Sequence, residues 1–460
     1  MSNDSTGKDF KQSIQDATNI PAVRQKILIK GGKIHDDDVI SSLNLNLSQP
    51  IMVLGTADKN LPQKPVEKPV FLEDLSKNQF VNLNNEPSGL INLGNTCYFN
   101  SSLQVLYQIN DIREILQKTS QFDDQTFMNL LKSTFNSLSK KSGPINPQLF
   151  LLTFRNLFPQ FAEQDNFGHF KQQDAEECFS QILTILNKNL KTNDLFKISF
   201  KVTTKCIDLP DELEVSTLEN SFKLNCHIDI KTNFLRDGII NGLTENIEKF
   251  NSTLQSNSNY QISKKITRLP KILTIHFMRF FWRRDTQKKS KILRKVQFPH
   301  ELDLAEMLDD SIKQEKIEMR DKIYQLSKNN LDLVRDFKKS KPNGKLTPSE
   351  IEEENEMKIE SIKTKFHDDL QSLTSINIDT TTENLSSVYE LTAVITHGGS
   401  SADSGHYQSY VKDPTDLEGE KWWKFNDDKV SSVNQEKIET LSGGGEFDSA
   451  LILIYKGLGL

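Results

Sequence analysis

The chain has 460 residues, enough for two or three domains or for one large domain with an attachment. Its 57 basic and 63 acidic residues leave a net charge of −6, which argues against a wholesale polyanion binder and makes nucleic acid an unexpected partner. Four cysteines, none in a Cys-x-x-Cys pair, speak against a disulfide scaffold or a four-cysteine zinc site, and no run of roughly 18 apolar residues marks a signal peptide or membrane span; the expectation is an intracellular protein with no metal or other cofactor.

Residues 1–56 read as a small module: a helical pattern over 10–17, Asn19-Ile20-Pro21, a strand over 25–30, a Gly31-Gly32 turn and a second apolar strand over 51–54. Residues 57–87, punctuated by Pro62, Pro65, Pro69 and Pro87, read as a linker. A Gly-punctuated loop from Gly89 then turns into a helix at Cys97, with Asn95 and Thr96 as candidate N-caps and Phe99, Leu103 and Leu106 on one face. Further helices are predicted over 112–116, 127–138, 147–158 and 175–190. The last opens with Gln172-Gln173-Asp174-Ala175-Glu176-Glu177, where Asp174 suits an N-cap and the glutamates suit the helix dipole; alternatively these side chains face a cleft and hold an Arg-bearing peptide.

From 196 to 300 the pattern turns to strands, predicted over 200–204, 222–230, 260–267 and 271–280, with His276 read as a packing residue. A charged, helix-prone insertion over about 305–373, broken at Pro342-Asn343-Gly344, is expected to project as a solvated helical pair. Strands return over 388–397, 406–411, 421–426 and 450–455, and a Gly/Ser loop precedes His406.

Cys97 falls in a first helical turn, where unpaired N–H groups and the helix dipole favour a thiolate; those amides, together with the Asn92 side chain, suit a developing oxyanion. Taken alone, the residue also fits a small buried hydrophobe. A histidine far downstream followed by an Asn completes the pattern of a cysteine hydrolase: His406 takes the proton of Cys97 and returns it to a leaving amine, and Asn426 fixes the imidazole. His397, at the end of the preceding strand, is the rival base. An unrelated papain-like protease would share this triad.

Gly89-Leu90-Ile91-Asn92-Leu93-Gly94-Asn95-Thr96-Cys97-Tyr98-Phe99-Asn100-Ser101, Gln172-Gln173-Asp174-Ala175-Glu176-Glu177, Ser404-Gly405-His406-Tyr407 and Trp423-Lys424-Phe425-Asn426-Asp427-Asp428 stand in that order across residues 89–460. They resemble the Cys box, the acidic box and the two-part His box of ubiquitin-specific proteases, with overall likeness to the proteasome-associated fungal member. The resemblance implies an α+β protein with a papain-like thumb over about 89–195 and β-rich fingers and palm over about 196–460. It also implies a ubiquitin-like β-grasp module over 1–56, whose first hairpin is expected to be missing, so that docking of that module on the proteasome is in question. The implied reaction is hydrolysis of the (iso)peptide bond at the C-terminal glycine of ubiquitin. The implied site places the nucleophile at Cys97, the base at His406, the orienting residue at Asn426, an oxyanion donor at Asn92 supported by Asp427, and a channel for the basic ubiquitin tail along Gln172 and Asp174. Ubiquitin, ubiquitinated proteins and the 26S proteasome are the implied partners, in cytoplasm and nucleus. The competing reading is a weakly active ubiquitin-binding regulator of the proteasome.

Overall fold

Two units divide the chain, residues 1–82 and 83–460. The computed structural model describes residues 5–18, 20–29, 32–43, 51–55, 86–284, 288–339, 348–401, 404–416 and 419–460. Nearly all of the expected linker, the Gly31 half of the first turn and the Pro342-Asn343-Gly344 break lie outside the described residues.

In the N-terminal unit, helix α1 (Gly7–Thr18) is preceded by Thr6, whose N–H and hydroxyl donate to the Asp9 carboxylate at 2.9 and 2.8 Å. This satisfies a helix-terminal donor and holds the Asp9 carboxyl below its usual range. Strand β1 (Lys26–Ile29) lies between β2 (Gly32–Lys33) and β3 (Met52–Leu54), all antiparallel. The two-residue period buries Ile27 on one face. It leaves Leu28, its cross-strand partner Met52, and Leu54 exposed on the other at 39, 60 and 49%.

The second unit begins with a helical layer: α2 (Cys97–Gln108), α3 (Asn110–Lys118), α4 (Gln125–Ser139), α5 (Gln148–Leu157) and α6 (Ala175–Leu190). Helix α2 is buried from Cys97 to Leu106, so it is the axis of the layer rather than a surface helix. Phe99 packs on Phe150 and Phe154 at ring distances of 5.3 and 5.2 Å, and Phe127 on Phe150 at 4.9 Å. Contacts of this kind add about 0.5–1.5 kcal/mol each beyond area burial.

The strands follow as β4 (Ile198–Cys206), β5 (Val215–Ser221), β6 (Leu224–Cys226), β7 (Thr244–Asn251), β8 (Ser256–Arg268), β9 (Ile272–Phe277), β10 (Phe280–Arg283), β11 (Lys288–Lys291), β12 (Glu301–Asp303), β13 (Val388–Gly398), β14 (His406–Lys412), β15 (Lys421–Asn426), β16 (Lys429–Asn434) and β17 (Ser449–Gly457). One sheet runs β16-β15-β14-β13-β17-β9-β6 with β12 beside β13; a four-stranded sheet runs β5-β4-β8-β7, and β10–β11 form a separate hairpin. Helix α2 packs against β14, which brings the start of that strand to the start of the helix.

Between β6 and β7 the chain forms a helix, α7 (Leu235–Leu243), and only Leu224–Cys226 of the strand expected over 222–230 is extended. Gly238 is there because the helix lies hard against β6. A Cβ at that position would stand 2.3 Å from Cys226 Sγ and 2.8 Å from the His227 carbonyl oxygen. Gly238→Ala is therefore expected to destabilise the protein by about 1–3 kcal/mol through overpacking, read as a lower denaturant midpoint with an unchanged slope.

The insertion forms two long helices, α8 (Asp310–Lys339) and α9 (Pro348–Ser372). They are not solvated throughout: Ile323 and Leu370 are buried with Ile378 and Leu385 in a small core joined by Phe366, Leu458 and Leu460. No helix among the described residues is long and apolar enough to cross a membrane.

Candidate active site

The loop before α2 is shaped by Gly94 and Asn95, both left-handed at φ 95° and 52°, and by the Asn92 side chain, whose Oδ1 accepts the Gly94 N–H at 2.9 Å and the Thr96 hydroxyl at 3.3 Å. Neither expected cap is used. Thr96 Oγ accepts the Leu93 N–H at 2.9 Å, the Asn95 amide donates to the Phe170 carbonyl, and no side chain caps α2. The uncapped positive end of the helix thus coincides with Cys97.

His406 opens β14, the strand packed on α2, and its neighbour Tyr407 donates its backbone N–H to Cys97 Sγ at 3.4 Å. The imidazole is half-buried, and the Cys97 side chain is the group that acts on it most strongly. Its Nε2 lies 2.6 Å from Asn426 Oδ1, so Nε2–H donates there and Nδ1 remains for the sulfur. The Cys97 side chain raises the imidazole pKa to about 9, helped by Asn426 and the Asp427 carboxylate and opposed by burial. The ring is therefore an imidazolium at neutral pH.

Asp427 occupies the two-residue turn between β15 and β16 at φ 55°, a conformation that Asp tolerates better than most side chains. Its carboxylate accepts Asn92 Nδ2 at 2.9 Å and Asn100 Nδ2 at 2.8 Å, and stands 3.8 Å from His406 Nε2. Its carbonyl accepts the Leu90 N–H, and a Cβ on Gly89 would meet the Asp427 and Asp428 carbonyl oxygens at 2.6 Å. The glycine at 89 is what lets this turn press against the cysteine loop.

Gln172 lies against Cys97 itself, its Nε2 3.5 Å from Cys97 Sγ and 3.5 Å from the Gly405 carbonyl oxygen. Asp174 caps α6 by accepting the Glu176 N–H at 2.8 Å, and burial raises its pKa. Glu176 accepts from Lys223 Nζ at 2.5 Å and from the Ser180 hydroxyl, and Glu177 from Gln160, so both glutamates have local partners. His276 packs with its pKa lowered to about 4 by burial. His397 is fully buried and also lowered to about 4, first by burial and then by the charge of Lys291.

The fold thus brings Cys97, His406, Asn426, Asn92, Asp427 and Gln172 together, with Asp174 at the adjoining helix start. Sequence reasoning missed Asn100, the Tyr407 amide and the contact of Gln172 with the sulfur. Asn100 lies inside the motif around Cys97, one helical turn beyond it, which was the available signal.

A sequence profile for the family described as "Ubiquitin carboxyl-terminal hydrolase" matches residues 88–455. The chain is 36% identical over 457 residues to "Ubiquitin carboxyl-terminal hydrolase 6" of Schizosaccharomyces pombe, covering 98% of this chain and 94% of that protein. It is 33% identical to "Ubiquitin carboxyl-terminal hydrolase 7" of Arabidopsis thaliana, covering 97% and 93%, and 31% identical to "Ubiquitin carboxyl-terminal hydrolase 14" of Caenorhabditis elegans, covering 97% and 88%.

Proposed function

Because the chain belongs to the ubiquitin carboxyl-terminal hydrolase family and is a thiol-dependent deubiquitinating cysteine protease, we propose that Cys97, His406 and Asn426 hydrolyse the bond after the terminal glycine of ubiquitin on conjugates held at the proteasome. What supports these roles is one row of contacts: the uncapped start of α2 at the sulfur, the imidazole against it, and Asn426 on the far nitrogen.

The Cys97 thiolate attacks the glycine carbonyl carbon, and the oxygen takes the negative charge. The Cys97 amide and Asn92 Nδ2, aimed by Asp427, hold that oxyanion. As the tetrahedral adduct collapses, the His406 imidazolium gives its proton to the departing amine and a thioester remains. His406, now neutral, takes a proton from water, the hydroxide displaces the thiolate, and ubiquitin leaves with a free carboxylate. Gln172 and Asp174 line the channel for the basic tail that precedes the scissile bond.

The N-terminal unit is read as the ubiquitin-like module and as the proteasome-docking part, acting in cytoplasm and nucleus. A helix followed by an antiparallel β2-β1-β3 order fits the later half of a β-grasp fold, and Leu28, Met52 and Leu54 form an exposed apolar face on it. The test is fluorophore release from the C-terminus of ubiquitin, with and without proteasomes. Release that rises with proteasomes is expected, and the double substitution Leu28→Arg and Met52→Arg should bring the ratio of the two rates towards one. A rate indifferent to proteasomes would discard that partner, and no turnover under either condition would favour a ubiquitin-binding regulator.

A further inference from the structure

His397 is a fully buried titratable side chain for which the chemistry above has no use, and it sits at the far end of the connection that delivers the base. It stands one residue before the end of β13, and its backbone pairs with that of Tyr407 on β14. Its Nε2 lies 3.1 Å from the Ser404 carbonyl oxygen, two residues before His406. A carbonyl only accepts, so the proton is on Nε2. Nδ1 is then a bare lone pair, buried without a hydrogen-bond partner. The ring is walled by Phe280, edge-on at 5.3 Å, and by Tyr407 at 4.7 Å.

Two further observations converge on this contact. Gly405, left-handed at φ 118°, leaves the room the ring needs: a Cβ there would lie 2.7 Å from His397 Nε2 and 2.2 Å from the Gly398 carbonyl oxygen. Lys291, on the β10–β11 hairpin and itself buried, donates its ammonium to the His397 carbonyl at 2.5 Å, and its backbone N–H donates to the Ser400 carbonyl at 3.1 Å. The two ends of the β13–β14 connection are thus tied across the base of the loop by an imidazole, and the same point is held from outside by a lysine.

We infer that His397 is a positioning residue: its neutral ring, donating to the Ser404 carbonyl and braced by Lys291, fixes where β14 begins and so where His406 stands relative to the sulfur. The inference rests on the reading of His406 as the base. A buried hydrogen bond with no competing water suits this task, because a displacement of about 1 Å at a reacting group costs on the order of a hundredfold in rate. A protonated ring would not suit it, since a proton on Nδ1 would be buried with no acceptor.

The decisive variants are His397→Phe, which keeps a ring and loses the donor, and His397→Gln, which keeps a donor. With His397→Phe, kcat is expected to fall about tenfold to a hundredfold with KM within about twofold, and the alkaline limb of kcat/KM should move to lower pH as the His406 imidazolium loses the contacts that hold its proton. His397→Gln should recover most of both, and Lys291→Met should show a smaller loss of the same kind. On the unsubstituted protein, nitrogen NMR should find His397 neutral with its proton on Nε2 from pH 5.5 to 8, a readout that stands even if a variant fails to fold. The inference is overturned by unchanged kcat and an unchanged alkaline limb in His397→Phe, by a loss confined to KM, by equal losses in the Phe and Gln variants, or by a charged ring at pH 6. An active His406→Ala enzyme would instead overturn the reading of His406 as the base.

Discussion

Replacing either Cys97 or His406 with alanine is expected to end hydrolysis of ubiquitin conjugates, with a loss of about 10⁴-fold or more, since the proposed nucleophile and base would act as one unit and their losses would not add. Both variants should still bind ubiquitin, which calorimetry can verify, because alanine keeps a small apolar side chain at 97 and His406 lies outside the buried core. The pH dependence follows from the imidazole. Its pKa is raised to about 9, so the proton needed by the leaving amine is present through neutrality and is lost as pH rises past that value. The alkaline limb of kcat/KM should therefore fall near pH 9. Asn426→Ala removes a hydrogen bond that favours the charged ring, so its limb should move to lower pH.

The second large effect belongs to Asp427→Ala, expected to cost about 10²- to 10³-fold in kcat. The carboxylate is nearly buried, with 9% of its side chain exposed, and it holds Asn92 of the cysteine loop and Asn100 of α2 while facing His406. Its removal loosens the proposed oxyanion donor and strips a negative charge from the imidazolium. It also removes the acceptor of the exposed Asn92 amide and the shortest of three acceptors of the buried Asn100 amide, whose others are the Leu90 and Ile91 carbonyls, at about 1–3 kcal/mol for a buried donor left unmatched. A fall in thermal midpoint should thus accompany the loss of rate. Asp427→Asn, similar in shape but uncharged and with one acceptor oxygen in place of two, should fall between the alanine variant and the unsubstituted protein in both measurements.

The residues gathered at the site were legible because their chemistry is written locally. A Gly-punctuated loop running into a helix announces Cys97, a Gly/Ser loop running into a strand announces His406, and an Asn closing a strand announces Asn426. What was not legible depends on approach between distant segments. The close approach of α7 to β6 at Gly238 has no local signature. β5 and most of β7 are exposed on both faces, so neither carries the apolar alternation that marks a half-buried strand. Thr96 looked like a cap but spends its hydroxyl on Leu93 and Asn92, a choice set by the loop rather than by the helix. His397 resembled a base by residue type and ranked below His406 because it ends a strand rather than beginning one, and its complete burial and its contact with the Ser404 carbonyl set it apart further.

All four thiols are buried, and it is their surroundings that separate them chemically, which gives the most direct test of the account. Cys178 and Cys226 are buried with their thiol pKa values pushed up, that of Cys226 to about 12, and Cys206 is buried within the four-stranded sheet. Cys97 alone stands at an uncapped helix start beside an imidazolium. Ubiquitin bearing an electrophile in place of its C-terminal carboxylate should form one covalent adduct with the native protein, mapped by peptide mass spectrometry to Cys97 and abolished by His406→Ala at neutral pH. An adduct on any other cysteine, or none on the folded protein, would contradict it.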